Sequence, residues 1–113
     1  VDDQTGGPTP ASALAAACVA AANALKGELG KSGTYHFAGA PNVTWAGFAR
    51  EIFRQSGRPV QVKAISSAEF ATKAERPANS RLDCTSFESA FGIPRPDWQA
   101  GLTQVLKELG AMP

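Results

Sequence analysis

A chain of 113 residues, 43% hydrophobic, with eleven basic against ten acidic side chains and a net charge of +1, has the size of one domain. Its charges stand singly, which excludes the concentrated basic face that nucleic acid or an anionic membrane requires. The longest apolar stretch, Ala13 to Ala22, is mostly alanine, too short and too weakly hydrophobic to span a bilayer, and no basic flank makes it a signal peptide.

In chain order, VDDQTGGPTP reads as the end of a strand, a glycine turn and a helix start, which predicts a chain that begins in mid-fold. Thr9 is the expected N-cap with Pro10 at the first helical position. Leu14, Cys18 and Leu25 then share a face, which predicts a helix from about Pro10 to Leu25. Its other faces are largely alanine, so neighbours can approach it on more than one side.

Thr34 to Ala38 (TYHFA) alternates and ends at Gly39, a strand pattern. Thr44 is expected to cap a second helix. Trp45, Phe48, Ala49, Ile52 and Phe53 form its apolar stripe, with both tryptophans of the chain, Trp45 and Trp98, expected in the core, and Gly57 stops it. Val60 to Ile65 (VQVKAI) reads as a half-exposed strand. Ser66 with Glu69 predicts a capping box over a short turn of helix at Ala68 to Phe70, and Thr85 with Glu88 predicts another that opens a helix burying Phe87 and Phe91 and ending at Gly92. Trp98, Leu102, Val105, Leu106 and Leu109 mark a last helix after Pro94 and Pro96. Between these, Thr72 to Asp83 is an aperiodic polar loop, of a length that is usually functional or disordered. Strands alternating with helices argue an α/β fold.

Cys18 and Cys84 have neither CxxC nor Cys/His spacing, which argues against a disulfide scaffold or a zinc site and for a reducing, cytoplasmic setting. Several motifs are incomplete. Gly27, Gly30 and Gly33 imitate a dinucleotide loop but follow a helix and precede a strand, the reverse of what phosphate binding needs. Gly30-Lys31-Ser32 imitates a P-loop, yet Leu25 stands where the first glycine belongs. The only tyrosine, Tyr35, is followed four residues on by Gly39 rather than lysine, and the sole His36 lies inside a strand pattern where a structural role is expected.

Arg76, beside Pro77 and followed by Asn79, Ser80 and Arg81, offers a guanidinium fork with amide and hydroxyl neighbours, the chemistry that a diphosphate or a sugar needs. The competing reading has Arg76 anchoring the loop through Glu75 or Asp83. Gln4 and Thr9 flank the glycine turn and face either a ligand cleft or the turn itself. Glu108 reads as a solvated carboxylate.

The tracts DQTGGPTPA (3–11), GTYHFAGAPNVTWAGFAREIF (33–53), ERPANSRLDCTSFESAFGI (75–93) and PDWQAGLTQVLKEL (96–109) resemble, in order and spacing, the carboxy-terminal portion of the dTDP-4-dehydrorhamnose reductase family. The resemblance covers nearly the whole chain, and it implies that residues 1–113 are the substrate-side part of a Rossmann-like, extended short-chain dehydrogenase/reductase. It implies NADPH as hydride donor to the 4-keto group of dTDP-4-dehydro-β-L-rhamnose, a proton from a Tyr-x-x-x-Lys pair, and an absent amino-terminal part carrying both. It implies TYHFA as the last strand of the Rossmann sheet, and Arg76, Gln4, Thr9 and Asn79 as substrate-binding candidates. Glu108 matches the carboxylate with which some members hold Mg²⁺ at a dimer interface, so a homodimer is expected of the full-length protein. A second relative keeps the fold without catalysis, the regulatory subunit of methionine adenosyltransferase, and gives the alternative of a binding protein.

Overall fold

Proline and glycine punctuate the chain into four helices with little sheet between them. The computed structural model describes residues 1–113: β1 (Thr5–Gly6), α1 (Ala11–Gly27), a 3₁₀ turn at Leu29–Lys31, β2 (Val43–Thr44), α2 (Trp45–Ser56), α3 (Thr85–Phe91) and α4 (Trp98–Glu108). The strands β1 and β2 pair antiparallel, Thr5 opposite Thr44 and Gly6 opposite Val43. A parallel bridge joins Thr5 to Asn79 on the other side.

Helix α2 forms as its sequence dictates. Thr44 Oγ1 accepts the Gly47 N–H at 3.1 Å, and Gly57 ends the helix at φ 65°, a conformation that costs a side chain but not glycine. Asp97 caps α4 by accepting the Gln99 N–H, and Gly92 ends α3 at φ 68°. Helices α2 and α4 are clasped by Thr103 Oγ1 donating to Gln55 Oε1 at 2.7 Å and Gln55 Nε2 donating to the Gln99 carbonyl at 3.1 Å. Glu51 receives both Arg54 and Gln55, and the Arg54 guanidinium first, then the Gln55 amide, lower its pKa to about 2.

Packing gathers around two apolar centres. In one, Phe87 of α3 meets Phe37 edge-on at 5.1 Å and Tyr35 at 6.1 Å, beneath α1. In the other, Trp98 is 3% exposed, takes the edge of Phe48 at 5.4 Å and donates its indole N–H to the Pro41 carbonyl. Only eight residues are buried, and the molecule measures 50 × 35 × 21 Å with a radius of gyration of 16.7 Å. A compact chain of this length has about 13 Å. On α1 only Ala17 is buried, while Leu14 and Val19 stand 43% and 61% exposed.

The two centres meet where backbones cross. A methyl group on Gly39 would fall on the Pro8 carbonyl oxygen, and one on Gly7 would fall on the Gly39 carbonyl oxygen. Arg95 fixes the crossing from behind: it donates to the carbonyls of Ala38 at 3.1 Å and Gly39, and to Asn42 Oδ1 at 2.7 Å. Ala40 bridges to the start of α4 through its N–H to Pro96 and its carbonyl from Trp98.

Five local expectations are corrected. Thr9 does not cap α1: its hydroxyl accepts the Gly39 N–H and donates to the Gly7 carbonyl, and Pro10 takes the N-cap position without a side-chain bond. The Thr85–Glu88 box does not form, because Asp83 reaches the Thr85 N–H first, at 2.9 Å. Neither 34–38 nor 60–65 lies in a ladder: no strand of this chain pairs with either, and a strand exists only by its partner. Trp45, expected in the core, is 61% exposed, because β2 and Ala46 take the inward positions at the start of α2. The Ser66–Glu69 box does form, with Ser66 N–H and Oγ both donating to Glu69 and the Ser66 hydroxyl accepting the Glu69 N–H, over a turn rather than a helix.

Gly39→Ala forces the two backbones apart and is expected to cost about 2 kcal/mol or more in urea unfolding. Gly30→Ala, with open space around it, should leave the midpoint within about 0.5 kcal/mol. Equal midpoints for the two variants would remove the crossing as a determinant of stability.

Candidate functional site

Between the glycine turn and the α2–α4 pair lies a groove of about 450 Å³. Gln4, Gly6, Pro8 and Thr9 form one wall, Trp45 and Phe48 a second, and Leu102 and Val105 of α4 the floor, with Ser80 at the rim. The turn comes this close because α4 carries Gly101 against the Pro10 ring, where any side chain would collide. No charged residue lines the groove.

The hydroxyls of the wall are engaged. Thr44 Oγ1 donates to Asp2 at 2.7 Å, Ser80 Oγ donates to the Thr5 carbonyl at 3.2 Å, and Thr9 is held as described. Gln4 gives one amide hydrogen to Ser67 Oγ at 2.9 Å, and its carbonyl oxygen has no partner. The Trp45 indole N–H is likewise free.

Residues Asp2 to Thr5, leading into β1, hold the neighbouring segments. The Asp2 N–H donates to the Ile65 carbonyl, and Asp3 accepts both the N–H and the hydroxyl of Ser67, the latter at 2.6 Å. The Ser67 hydroxyl, then its N–H, hold the Asp3 carboxyl below the usual aspartate range. Thr5 bonds to Ala78 through its N–H and accepts from Ser80.

Of the residues singled out in the sequence, Gln4 and Thr9 come together in the groove wall, whereas Arg76 and Asn79 do not line it. Arg76 is exposed and makes neither of the ion pairs offered by the competing reading, with Glu75 or Asp83. The Asn79 side chain accepts from the N–H and Nε of Arg81, so it shapes the loop end. Glu108 is exposed and accepts from Gln104 Nε2 at 2.8 Å, and no cluster of three His, Cys, Asp or Glu residues surrounds it. His36 lines a second, apolar groove of about 370 Å³ under α1, with Cys18 and Phe87. Trp45, expected in the core, stands at the groove instead, and Ser80 was missed as a groove residue: only the pairing of Asn79 with Thr5 reveals it.

Helices packed about a short sheet, with an unpaired extended segment at 34–38, form the carboxy-terminal part of an extended short-chain dehydrogenase/reductase. The model of the RmlD substrate binding domain matches residues 1–111, and the chain belongs to that family. A dTDP-4-dehydrorhamnose reductase of Aggregatibacter actinomycetemcomitans is 42% identical over 93% of this chain, and one of Sinorhizobium fredii 38% identical over 88%. Among solved structures, the dTDP-4-dehydrorhamnose reductase of Clostridium acetobutylicum superposes with a TM-score of 0.88 at 30% identity over 97% of this chain, and that of Bacillus anthracis, in complex with NADP, with 0.79 at 29% over 95%. The chain spans 38% of the Aggregatibacter protein and 36% of the Sinorhizobium one.

Because the native Asp3 carboxyl titrates below its unfolded value of 3.8, its tether contributes fully above that pH and is lost as pH falls through the lower native value. Unfolding measured between about pH 6 and pH 2 should therefore show the protein more stable than Asp3→Asn at the upper end, with the two curves converging at the lower. Parallel curves would show that the Asp3–Ser67 bond contributes nothing.

Proposed function

We propose that this chain is the substrate-side part of an NADPH-dependent dTDP-4-dehydrorhamnose reductase, in which residues 1–113 hold the dTDP-sugar while the hydride and proton donors lie in the part of such a reductase that the chain does not span. The observation that carries this reading is the family match over residues 1–111, joined to a groove that its glycine turn forms with Trp45 and Ser80. The lobe's part in the reaction is to bind and orient. Its walls are neutral and largely apolar, suited to a nucleoside or sugar ring, and the Gln4 carbonyl and Trp45 N–H are open for hydrogen bonds to it.

When bound, NADPH would supply the hydride for the 4-keto carbon. No residue of this chain offers the glycine loop that would cradle it, since Gly27 ends α1, Gly30 lies within the 3₁₀ turn and Gly33 follows that turn, with no strand directly before them and no helix opening directly after them. The residues around Glu108 do not fit Mg²⁺ on their own: one exposed carboxylate already bound to Gln104 is short of the several oxygen ligands that the ion takes. A homodimer, with α4 facing its copy, and a cytoplasmic setting complete the reading.

Arg76 is the residue that would meet the diphosphate. It is a planar, permanently charged fork with no partner within the chain. In the full-length protein, Arg76→Ala is expected to weaken dTDP-sugar binding about tenfold or more in calorimetry and to leave NADPH affinity unchanged. Equal affinity for the dTDP-sugar would remove Arg76 from the site. Failure of the full-length protein to oxidise NADPH with the 4-keto sugar would favour the non-catalytic relative instead.

A further inference from the structure

We propose that residues 68–77 form a strap that closes over the groove onto an anionic ligand, carrying Arg76 from its open position to the ligand's phosphates. This deepens the reading of the groove as a dTDP-sugar site and rests on it.

Both ends of the strap are pinned to the same short stretch of chain. At one end Ser67 is held by Asp3 and Gln4, with the Ile65 carbonyl on the Asp2 N–H; at the other, Ala78 and Ser80 are held by Thr5. The anchors lie on Asp2, Asp3, Gln4 and Thr5, and Gln4 is itself a wall of the groove. The strap therefore leaves and re-enters the fold beside the groove mouth, as a compact surface loop with neighbouring ends does.

Past the turn in which Glu69 and Phe70 bond back to Ser66 and Ser67, almost nothing holds it. Every residue from Ala68 to Asp83 is exposed, no backbone hydrogen bond involves residues 71–77, and the one side-chain bond inside them runs from Thr72 Oγ1 to the Ala74 carbonyl. A segment with so few buried contacts opens and moves at little free-energy cost. Pro77 stiffens the second stem and keeps Arg76 extended, so the strap swings about its stems.

Charge gives the motion a direction. The groove lining contains no charged residue, so a diphosphate entering it must draw its counter-charge from outside the lining. Arg95 lies behind Gly7 but its fork is committed to Ala38, Gly39 and Asn42, and Arg81 is bound to Asn79. Arg76 alone among these is uncommitted, and it stands four residues before the rim residue Ser80, a chain span of at most about 14 Å. Lys73 adds a second cation to the strap; of its two carboxylates, Glu69 is bound to Ser66 and Glu75 is left to offset it.

Hydrogen exchange on the full-length protein, with and without saturating dTDP, tests this, with calorimetric binding of dTDP measured on the same preparation. Amides 68–76 are expected to exchange about tenfold more slowly with dTDP bound, with full loss of that protection in Arg76→Ala and partial retention in Arg76→Lys. Unchanged exchange at 68–76 in protein that binds dTDP overturns the strap and leaves the site standing. Full protection in Arg76→Ala overturns the charge-driven closure. Absence of dTDP binding altogether overturns the strap together with the function on which it rests.

Discussion

The fold depends on a single place where backbones touch without side chains between them. Gly39 lies against the Pro8 carbonyl and Gly7 against the Gly39 carbonyl, so the turn that opens α1 and the segment that leads to α2 cross at van der Waals distance. Three further groups exist to keep them there: the Thr9 hydroxyl on the Gly39 N–H, the Arg95 fork on the carbonyls of Ala38 and Gly39, and the Ala40 bridge to the start of α4. A half-buried arginine whose partners are neutral carbonyls and an amide is an expensive device for a loop, since the charge gives up water for dipoles. Here it satisfies carbonyls that the crossing denies to any regular ladder. Because Trp98 then seats its Cβ over Gly39 and its N–H on Pro41, the floor of the groove is set by the same contact that sets its wall.

From that crossing, the segment Asp2–Gly6, which ends in β1, becomes a hub. It pairs with β2 on one side and with Ala78–Ser80 on the other, and its acidic residues bind Ser67 and Thr44. Four segments distant in sequence are thereby brought to one edge with only a handful of ladder bonds. The arrangement explains why the aperiodic loop at 72–83 is not uniform: its last residues are strand-paired, its first are free.

What the sequence made legible follows from which signals are local. Capping chemistry and glycine stops are properties of a few adjacent residues, so α2 with Thr44 and Gly57, the end of α3 at Gly92, and the box of Ser66 with Glu69 are all found where they were read. Strands require a neighbour. TYHFA and VQVKAI have the alternation but no partner within the chain, while the two-residue strands that do pair, Thr5–Gly6 and Val43–Thr44, are too short to show alternation. Competition between donors and acceptors is also invisible to spacing. Thr9 had the right place for a cap, yet a distant N–H at Gly39 takes its hydroxyl, and Asp83 reaches Thr85 before a box can close. For the site, Gln4 and Thr9 were legible because they flank the turn that builds the wall, whereas Trp45 was read as core since a helical stripe reports a face and not what covers it.

The same reasoning bears on the exposed faces. Two small apolar centres joined by a glycine crossing bury only eight residues and leave Leu14, Val19, Trp45, Val105 and Leu109 at the surface. Hydrophobic stabilisation scales with area removed from water, so a chain drawn out to 16.7 Å in radius of gyration forgoes much of what its 43% hydrophobic content offers. The exposed positions are not scattered: α1 presents Leu14 beside the unpaired segment at 34–38, and Val105 of α4 stands with Trp45 at the groove. A helix face beside an unpaired segment is the arrangement onto which an α/β layer adds a further strand. The polarity of the two surfaces then differs for a reason. The α1 side offers apolar side chains and free backbone groups together, which only another stretch of protein can satisfy, while the groove side offers rings with a few open hydrogen-bonding atoms, which suit a small molecule.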